Sequence, residues 1–167
     1  MGNYGTTNYT YDNNSNRATR AAGGVTQTST YPGGSNLLGS ISDGTITRSF
    51  TYTASGNIAT DSRASTGTAA SFTYGGKDRL EGVSIGGSSA AVYLINASGE
   101  RASKAITGGA TTHYVYDEQG HVIAEATGAG ANIREYVWLG DMPLAQIESS
   151  GSVYYIHPDN LNTPQRI

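Results

Sequence analysis

Apolar and polar positions along this chain alternate in short bursts, and each burst opens on two aromatic residues spaced one apart that run into a polar turn. The phrase reads Tyr9-Thr10-Tyr11-Asp12-Asn13-Asn14-Ser15-Asn16-Arg17, then Phe50-Thr51-Tyr52-Thr53-Ala54-Ser55-Gly56-Asn57, Phe72-Thr73-Tyr74-Gly75-Gly76, Tyr114-Val115-Tyr116-Asp117-Glu118-Gln119-Gly120 and Tyr136-Val137-Trp138-Leu139-Gly140-Asp141. Looser copies stand at Ser29-Thr30-Tyr31-Pro32-Gly33-Gly34 and Tyr93-Leu94-Ile95-Asn96-Ala97-Ser98-Gly99. With the second apolar residue taken as anchor, the anchors are Tyr11, Tyr31, Tyr52, Tyr74, Ile95, Tyr116 and Trp138, and the step is 20 to 22 residues. A fixed period of that size is the mark of a repeat architecture.

Two aromatics one residue apart share a face only on a strand, where side chains alternate with period two. After the turn the alternation resumes, as in Leu80-Glu81-Gly82-Val83-Ser84-Ile85, so each phrase predicts a hairpin. A second turn signal follows each anchor, at Gly23-Gly24, Asp43-Gly44, Thr66-Gly67, Gly86-Gly87, Gly108-Gly109, Gly128-Ala129-Gly130 and Ser150-Gly151, where glycine supplies the positive φ of tight hairpins. Each period therefore holds two strands and two turns. Seven to eight periods over 9–153 predict about 14 to 16 short strands in one antiparallel meander, all-β with almost no helix. Right-handed twist accumulates across so many strands, so the sheet is expected to curve or spiral.

Composition narrows the function without supplying one. Charged residues make up 14% of the chain and the net charge is -3, so the clustered Lys and Arg of a nucleic-acid groove are missing. There is no cysteine for a disulfide or a thiolate metal site. No apolar run reaches the length of a membrane span. Met1-Gly2-Asn3-Tyr4-Gly5-Thr6 fits the permissive myristoylation pattern, which a start residue at a segment boundary matches equally well.

The chemical candidates are weak. His113, Asp117 and His121 fall short of a metal ligand set, because His113 points away from the face that Tyr114 and Tyr116 share. Asp12, Asn14 and Asn16 mimic the start of a calcium loop, but Arg17 and Gly23 stand where it needs glycine and glutamate, so an Asx turn is the expectation. Gly33-Gly34-Ser35-Asn36-Leu37-Leu38-Gly39 lacks the lysine of a phosphate loop, and no nucleophile elbow is present. No catalytic residue, metal or cofactor is assigned, and the chain is not expected to be an enzyme. The regular aromatics are read as cross-strand packing, with sugar stacking on the aromatic face as the alternative.

The fullest phrase, Tyr114-Val115-Tyr116-Asp117-Glu118-Gln119-Gly120-His121, resembles the YD repeat of the Rhs family of bacterial polymorphic toxins. The end of the chain, Tyr154-Tyr155-Ile156-His157-Pro158-Asp159-Asn160-Leu161-Asn162-Thr163-Pro164, is similar to the tail motif of the Rhs core. Its matching residues are His157, Asp159, Thr163 and Pro164, and Asn162 replaces the usual glycine, a place where asparagine tolerates a left-handed backbone. His157 and Asp159 are expected to fix a loop that leaves the sheet.

The resemblance implies one YD-repeat array over 1–167, with the tail motif at 154–167, forming part of a hollow β-shell. Such a shell encloses a C-terminal toxin for competition between bacteria, and is secreted or delivered by a bacterial secretion system within a larger chain. The family's self-cleavage motif, Asp-Pro-x-Gly-Leu, and the toxin itself do not occur before Ile167, so the chain is expected to be a fragment or partial copy of the wall. The partners implied are the rest of the shell and its toxin, with self-association through open sheet edges and a glycan on the aromatic face as further expectations.

Overall fold

The computed structural model of the chain describes residues 5–63 and 68–166. The Thr66-Gly67 turn and the first four residues of the myristoylation pattern lie outside them.

Strand formation follows the alternating pattern throughout. The strands are β1 (Thr7–Tyr11), β2 (Arg17–Ala22), β3 (Val25–Thr30), β4 (Ser40–Ser42), β5 (Thr47–Tyr52), β6 (Ile58–Arg63), β7 (Thr68–Tyr74), β8 (Leu80–Ile85) and β9 (Ser88–Ile95). They continue as β10 (Arg101–Ile106), β11 (Thr111–Tyr116), β12 (Val122–Thr127), β13 (Asn132–Leu139), β14 (Met142–Glu148), β15 (Val153–Tyr155), β16 (His157–Pro158) and β17 (Pro164–Arg166). Hydrogen-bonded neighbours follow chain order from β1 to β15, an antiparallel meander of 15 strands, and β16 pairs with β17 in a separate ribbon. The all-β expectation holds, and the one helical piece described is a 3-10 turn at Pro32–Gly34.

Two compact units share the chain, Met1–Ser89 and Ala90–Ile167. In the first, the two sheet faces differ in chemistry. One carries the anchors Tyr11, Tyr31, Tyr52 and Tyr74 with Arg48, Phe50 and Asp61. The other carries hydroxyls paired across the strands: Thr10 with Thr19 at 2.6 Å, Thr30 with Ser40 at 2.8 Å, Ser42 with Thr47 at 3.0 Å, Ser49 with Ser62 at 2.6 Å and Thr51 with Thr60 at 2.6 Å. Cross-strand pairs of this kind hold register. In the second unit the anchor face holds Tyr114, Tyr116, Glu125, Arg134, Tyr136 and Trp138, while the opposite face exposes Val92, Leu94, Val115, Val137, Leu139 and Tyr155.

Burial is thinner than the aromatic repeat predicts. Among the described residues the buried apolar side chains are Ala91, Ala145 and Ile156, and Tyr9 and Tyr11 are exposed. Among the described residues no helical layer covers the aromatic stripe, so each ring is shielded by its neighbours within the sheet. Hydrogen bonding therefore carries a larger share of the organisation than core burial does.

One irregularity recurs at the period of the sequence. On the strand after each YD-type turn one extra residue enters the ladder: Ala18, Ala59, Glu81, Ala102, Ile123 and Leu144. Each is a β-bulge facing the residue pair that ends in the anchor, and a bulge leaves a backbone group outside the ladder.

Candidate functional site

The most developed constellation lies where these bulges meet the next hairpin. Tyr31 donates its hydroxyl to the Arg17 carbonyl at 3.1 Å, Tyr52 to Leu38 at 2.8 Å, Tyr74 to Ile58 at 2.9 Å and Tyr116 to Arg101 at 3.1 Å. Trp138 donates its indole Nε1–H to the Val122 carbonyl at 3.0 Å. The reach is 14 to 16 residues every time. Four of these acceptors, Arg17, Ile58, Arg101 and Val122, stand directly opposite the preceding anchor and just before the bulge residue. The carbonyl that the bulge frees is thus the one the next anchor fills, meeting the rule that shielded backbone groups are paired. Tyr11 has no such acceptor among the described residues, and Ile95 has no polar atom to offer.

The turns are built alike. In the 117–121 turn the Asp117 amide donates to the His121 carbonyl at 3.0 Å and Gly120 N–H to the Asp117 carbonyl at 3.2 Å. Asp117 Oδ1 accepts the amides of Gln119 at 2.9 Å and His121 at 2.8 Å. The fourth residue needs a left-handed backbone, supplied by Gly120 at φ 87° and elsewhere by Gly56, Gly99, Asp78 or Ser15. Asp12 does the same at the first turn, accepting Asn14 N and Asn16 N at 2.9 Å and the Asn16 side-chain amide at 3.1 Å, which makes it the expected Asx turn. Partial desolvation raises its carboxyl, but those donors outweigh it and hold Asp12 below the usual carboxylate range.

The tail motif proves to be another copy of this turn. Asp159 N–H donates to Thr163 O at 2.9 Å, Asn162 N–H to Asp159 O at 3.0 Å, and Asp159 Oδ1 accepts from Leu161 and Thr163. Asn162 has φ 60°. Pro158 pairs with Pro164 across a register shift, so proline occupies the place that the anchor holds elsewhere. The segment stands apart from the 15-stranded sheet, as expected, and its loop is the closed turn of the β16–β17 ribbon, with His157 and Pro164 on its strands. A five-residue turn with a left-handed fourth position closes a hairpin rather than opening one.

Neighbouring turns also touch, at a residue offset close to the repeat. Asn16 Nδ2 donates to Asn36 Oδ1 at 3.0 Å, 20 residues on, and Asn57 Nδ2 to Asp78 Oδ1 at 3.1 Å, 21 residues on. His121 takes the equivalent place in the second unit. Its Nδ1 lies 2.8 Å from Asp117 Oδ2, its Nε2 3.2 Å from Asp141 Oδ1, and its ring stacks on Trp138 at 4.5 Å with 17° between planes. The metal candidates are therefore separated: His121 is spent on two carboxylates, and His113 pairs with Ser103 and Ala126 on the other face. Among the described residues no group of three potential ligands forms.

Polar side chains elsewhere on the anchor face are paired as well. Arg48 Nε donates to Asp61 at 2.7 Å while the guanidinium covers Phe50 at 4.9 Å. Tyr136 donates to Glu125 at 2.7 Å; burial, then that bond, push its hydroxyl up to about 12. A depression of about 350 Å³ is lined by Gln27, Ile41, Asp43, Ile46 and Arg48, but Asp43 Oδ1 already accepts the amides of Thr45 and Ile46. No helix among the described residues is long and apolar enough to cross a membrane.

No family model matches the chain, and no curated protein matches it either. Solved structures do share its fold. A TcdB2-TccC3-Cdc42 crystal structure aligns over 92% of this chain and 10% of that one, with TM-score 0.65 and 16% identity. A TcdB2-TccC3 crystal structure aligns over 84% of this chain and 8% of that one, at 0.54 and 15%. The Photorhabdus luminescens Tc holotoxin pore aligns over 80% and 7%, at 0.53 and 16%. This chain thus spans about a tenth or less of the chains whose fold it shares.

Proposed function

We propose that this chain is a stretch of wall in an Rhs-type, YD-repeat β-shell that holds a toxic C-terminal segment of a longer polypeptide until delivery, in competition between bacteria. The observation that carries the reading is the clasp in which Tyr31, Tyr74, Tyr116 and Trp138 each fill a bulged carbonyl of an earlier hairpin and Tyr52 fills the carbonyl of Leu38. Identical steps of that kind extend a sheet hairpin by hairpin, and the work of such an object is to be continuous. The tail turn with the Rhs signature residues and the fold shared with TcdB2-TccC3 chains support the same conclusion. In this reading the segment acts mechanically, without catalysis or cofactor. Its partners are the rest of the wall and the enclosed segment, and it travels by secretion or delivery as part of the larger chain.

Limited proteolysis of the full-length protein tests the proposal. The C-terminal segment should resist cleavage in the wild type and become accessible when Trp138→Ala removes a clasp. Equal cleavage rates in both proteins would overturn it. The glycan alternative has less support, because the polar ends of Tyr31, Tyr52, Tyr74, Tyr116 and Trp138 are already bonded to backbone.

A further inference from the structure

We propose that His121 is a protonation-operated latch between consecutive hairpins: charged, it ties the 117–121 turn to Asp141 on the next turn, and on losing a proton it releases Asp141 while staying with Asp117. This inference is independent of the wall reading.

The geometry gives the imidazole two acceptors and no donor. Both ring nitrogens face carboxylate oxygens, at 2.8 Å and 3.2 Å, and only the imidazolium has two N–H groups to give them. A neutral ring must turn one lone pair toward a carboxylate, so one bridge has to fail. Asp117 is pinned by two backbone amides of its own turn and makes the shorter bond. Asp141 is 85% exposed and free to swing away. The bridge between hairpins is therefore the one that opens.

Other groups around the site agree. Trp138 offers its ring face to the imidazole, a contact that favours the cation. On the preceding turn Glu100 places a carboxylate beside Gly120, with its other oxygen held by Asn96 at 2.7 Å, and Glu118 adds a negative charge on the turn itself. Every charged group named at this junction is an acid. The bond to Asp117 comes first among the causes that raise the His121 pKa above 6.5, with Asp141 adding to it. At the corresponding places in the first unit the bridging residues are Asn16 and Asn57, amides that do not titrate. The bridging donor thus titrates at this junction, whereas at those two it does not.

The sign follows from the raised value. The latch is shut below 6.5 and opens as pH climbs through the higher folded-state pKa, so acid locks the junction and alkali frees it. Trp138 is the only tryptophan in the chain and lies against the ring, so its emission reports the titration directly.

A fluorescence titration of the intact protein should show one transition with its midpoint above 6.5. Asp141→Asn should move the midpoint down toward 6.5, and His121→Gln should abolish the transition. Amide exchange at Leu139–Met142, corrected for intrinsic pH dependence, should lose protection over the same range in the wild type. Asp141→Asn keeps the shape of an exposed side chain, so it reads the latch without risk to folding. A midpoint that Asp141→Asn leaves in place, or protection that stays flat across the transition, overturns the proposal.

Discussion

At the scale of single residues the anchors are hydrogen-bond donors before they are hydrophobes. Tyr116→Phe keeps the ring but strands the Arg101 carbonyl, which should cost about 1 kcal/mol in urea unfolding. Tyr11→Phe serves as the control: with no acceptor described for its hydroxyl, it should lie within about 0.5 kcal/mol of wild type. Gly120→Ala places a Cβ on a backbone at φ 87° and should destabilise by about 1 kcal/mol, read as a fall in Tm. Asn162→Gly, at φ 60°, should be neutral or slightly stabilising by the same measurement, since glycine adopts that conformation without steric cost. The carboxylates set the acid limit. Asp43 is held low first by the Ile46 amide and then by that of Thr45, so its contribution is present above about 3.8 and lost as pH falls through the lower folded value. An acid titration followed by amide exchange should show the 43–46 turn opening below that point.

At the scale of elements, strands and turns were largely legible in the sequence while their coupling was not. The Tyr-x-Tyr spacing and the Gly-rich second turns gave a meander because periodicity and turn chemistry are local properties. The bulges at Ala59, Ala102 or Ile123 escaped because nothing in an alanine or isoleucine announces that two residues on one strand oppose one on the other. Only the repeated distance from anchor to anchor hinted that something must match from hairpin to hairpin. The spacing of His121 to Asp117 is visible in the sequence, but its second partner, Asp141, lies 20 residues on and shows only in the structure. The tail motif was legible in part: its prolines suggest an exit and the segment does stand apart from the sheet, but that Asp159 and Asn162 build the same turn as Asp117 and Gly120 shows only in the structure. The bulge makes a strong prediction at this scale. Deleting Ile123 would remove the bulge while Tyr116 and Val115 keep Val122 and Ala124 as partners, drawing the Val122 carbonyl back into a regular ladder and away from Trp138, so the 90–167 unit should lose about 1 kcal/mol in urea unfolding.

For the molecule as a whole, little of either compact unit resembles a globular interior. Stability is distributed along the meander in bonds between neighbours, as in other repeat proteins, where it approximates a sum of local and nearest-neighbour terms. Native-state exchange should therefore report opening within each unit hairpin by hairpin, with protection falling toward β1 and β15, rather than one value for every slow amide. A single shared opening energy throughout a unit would contradict that picture.

The direction of the clasp carries one more consequence. Because Tyr31, Tyr52, Tyr74, Tyr116 and Trp138 each reach back toward earlier residues, a hairpin that one of them clasps emerges from the ribosome with its own turn but an unfilled carbonyl, and is finished only by residues synthesised later. Assembly thereby acquires a grain from the first residue to the last. Pro158, which sits 15 residues beyond Pro143, the carbonyl next in line, has no side-chain hydrogen to give. Like Ile95 in its own repeat, it leaves one closure of the series unmade.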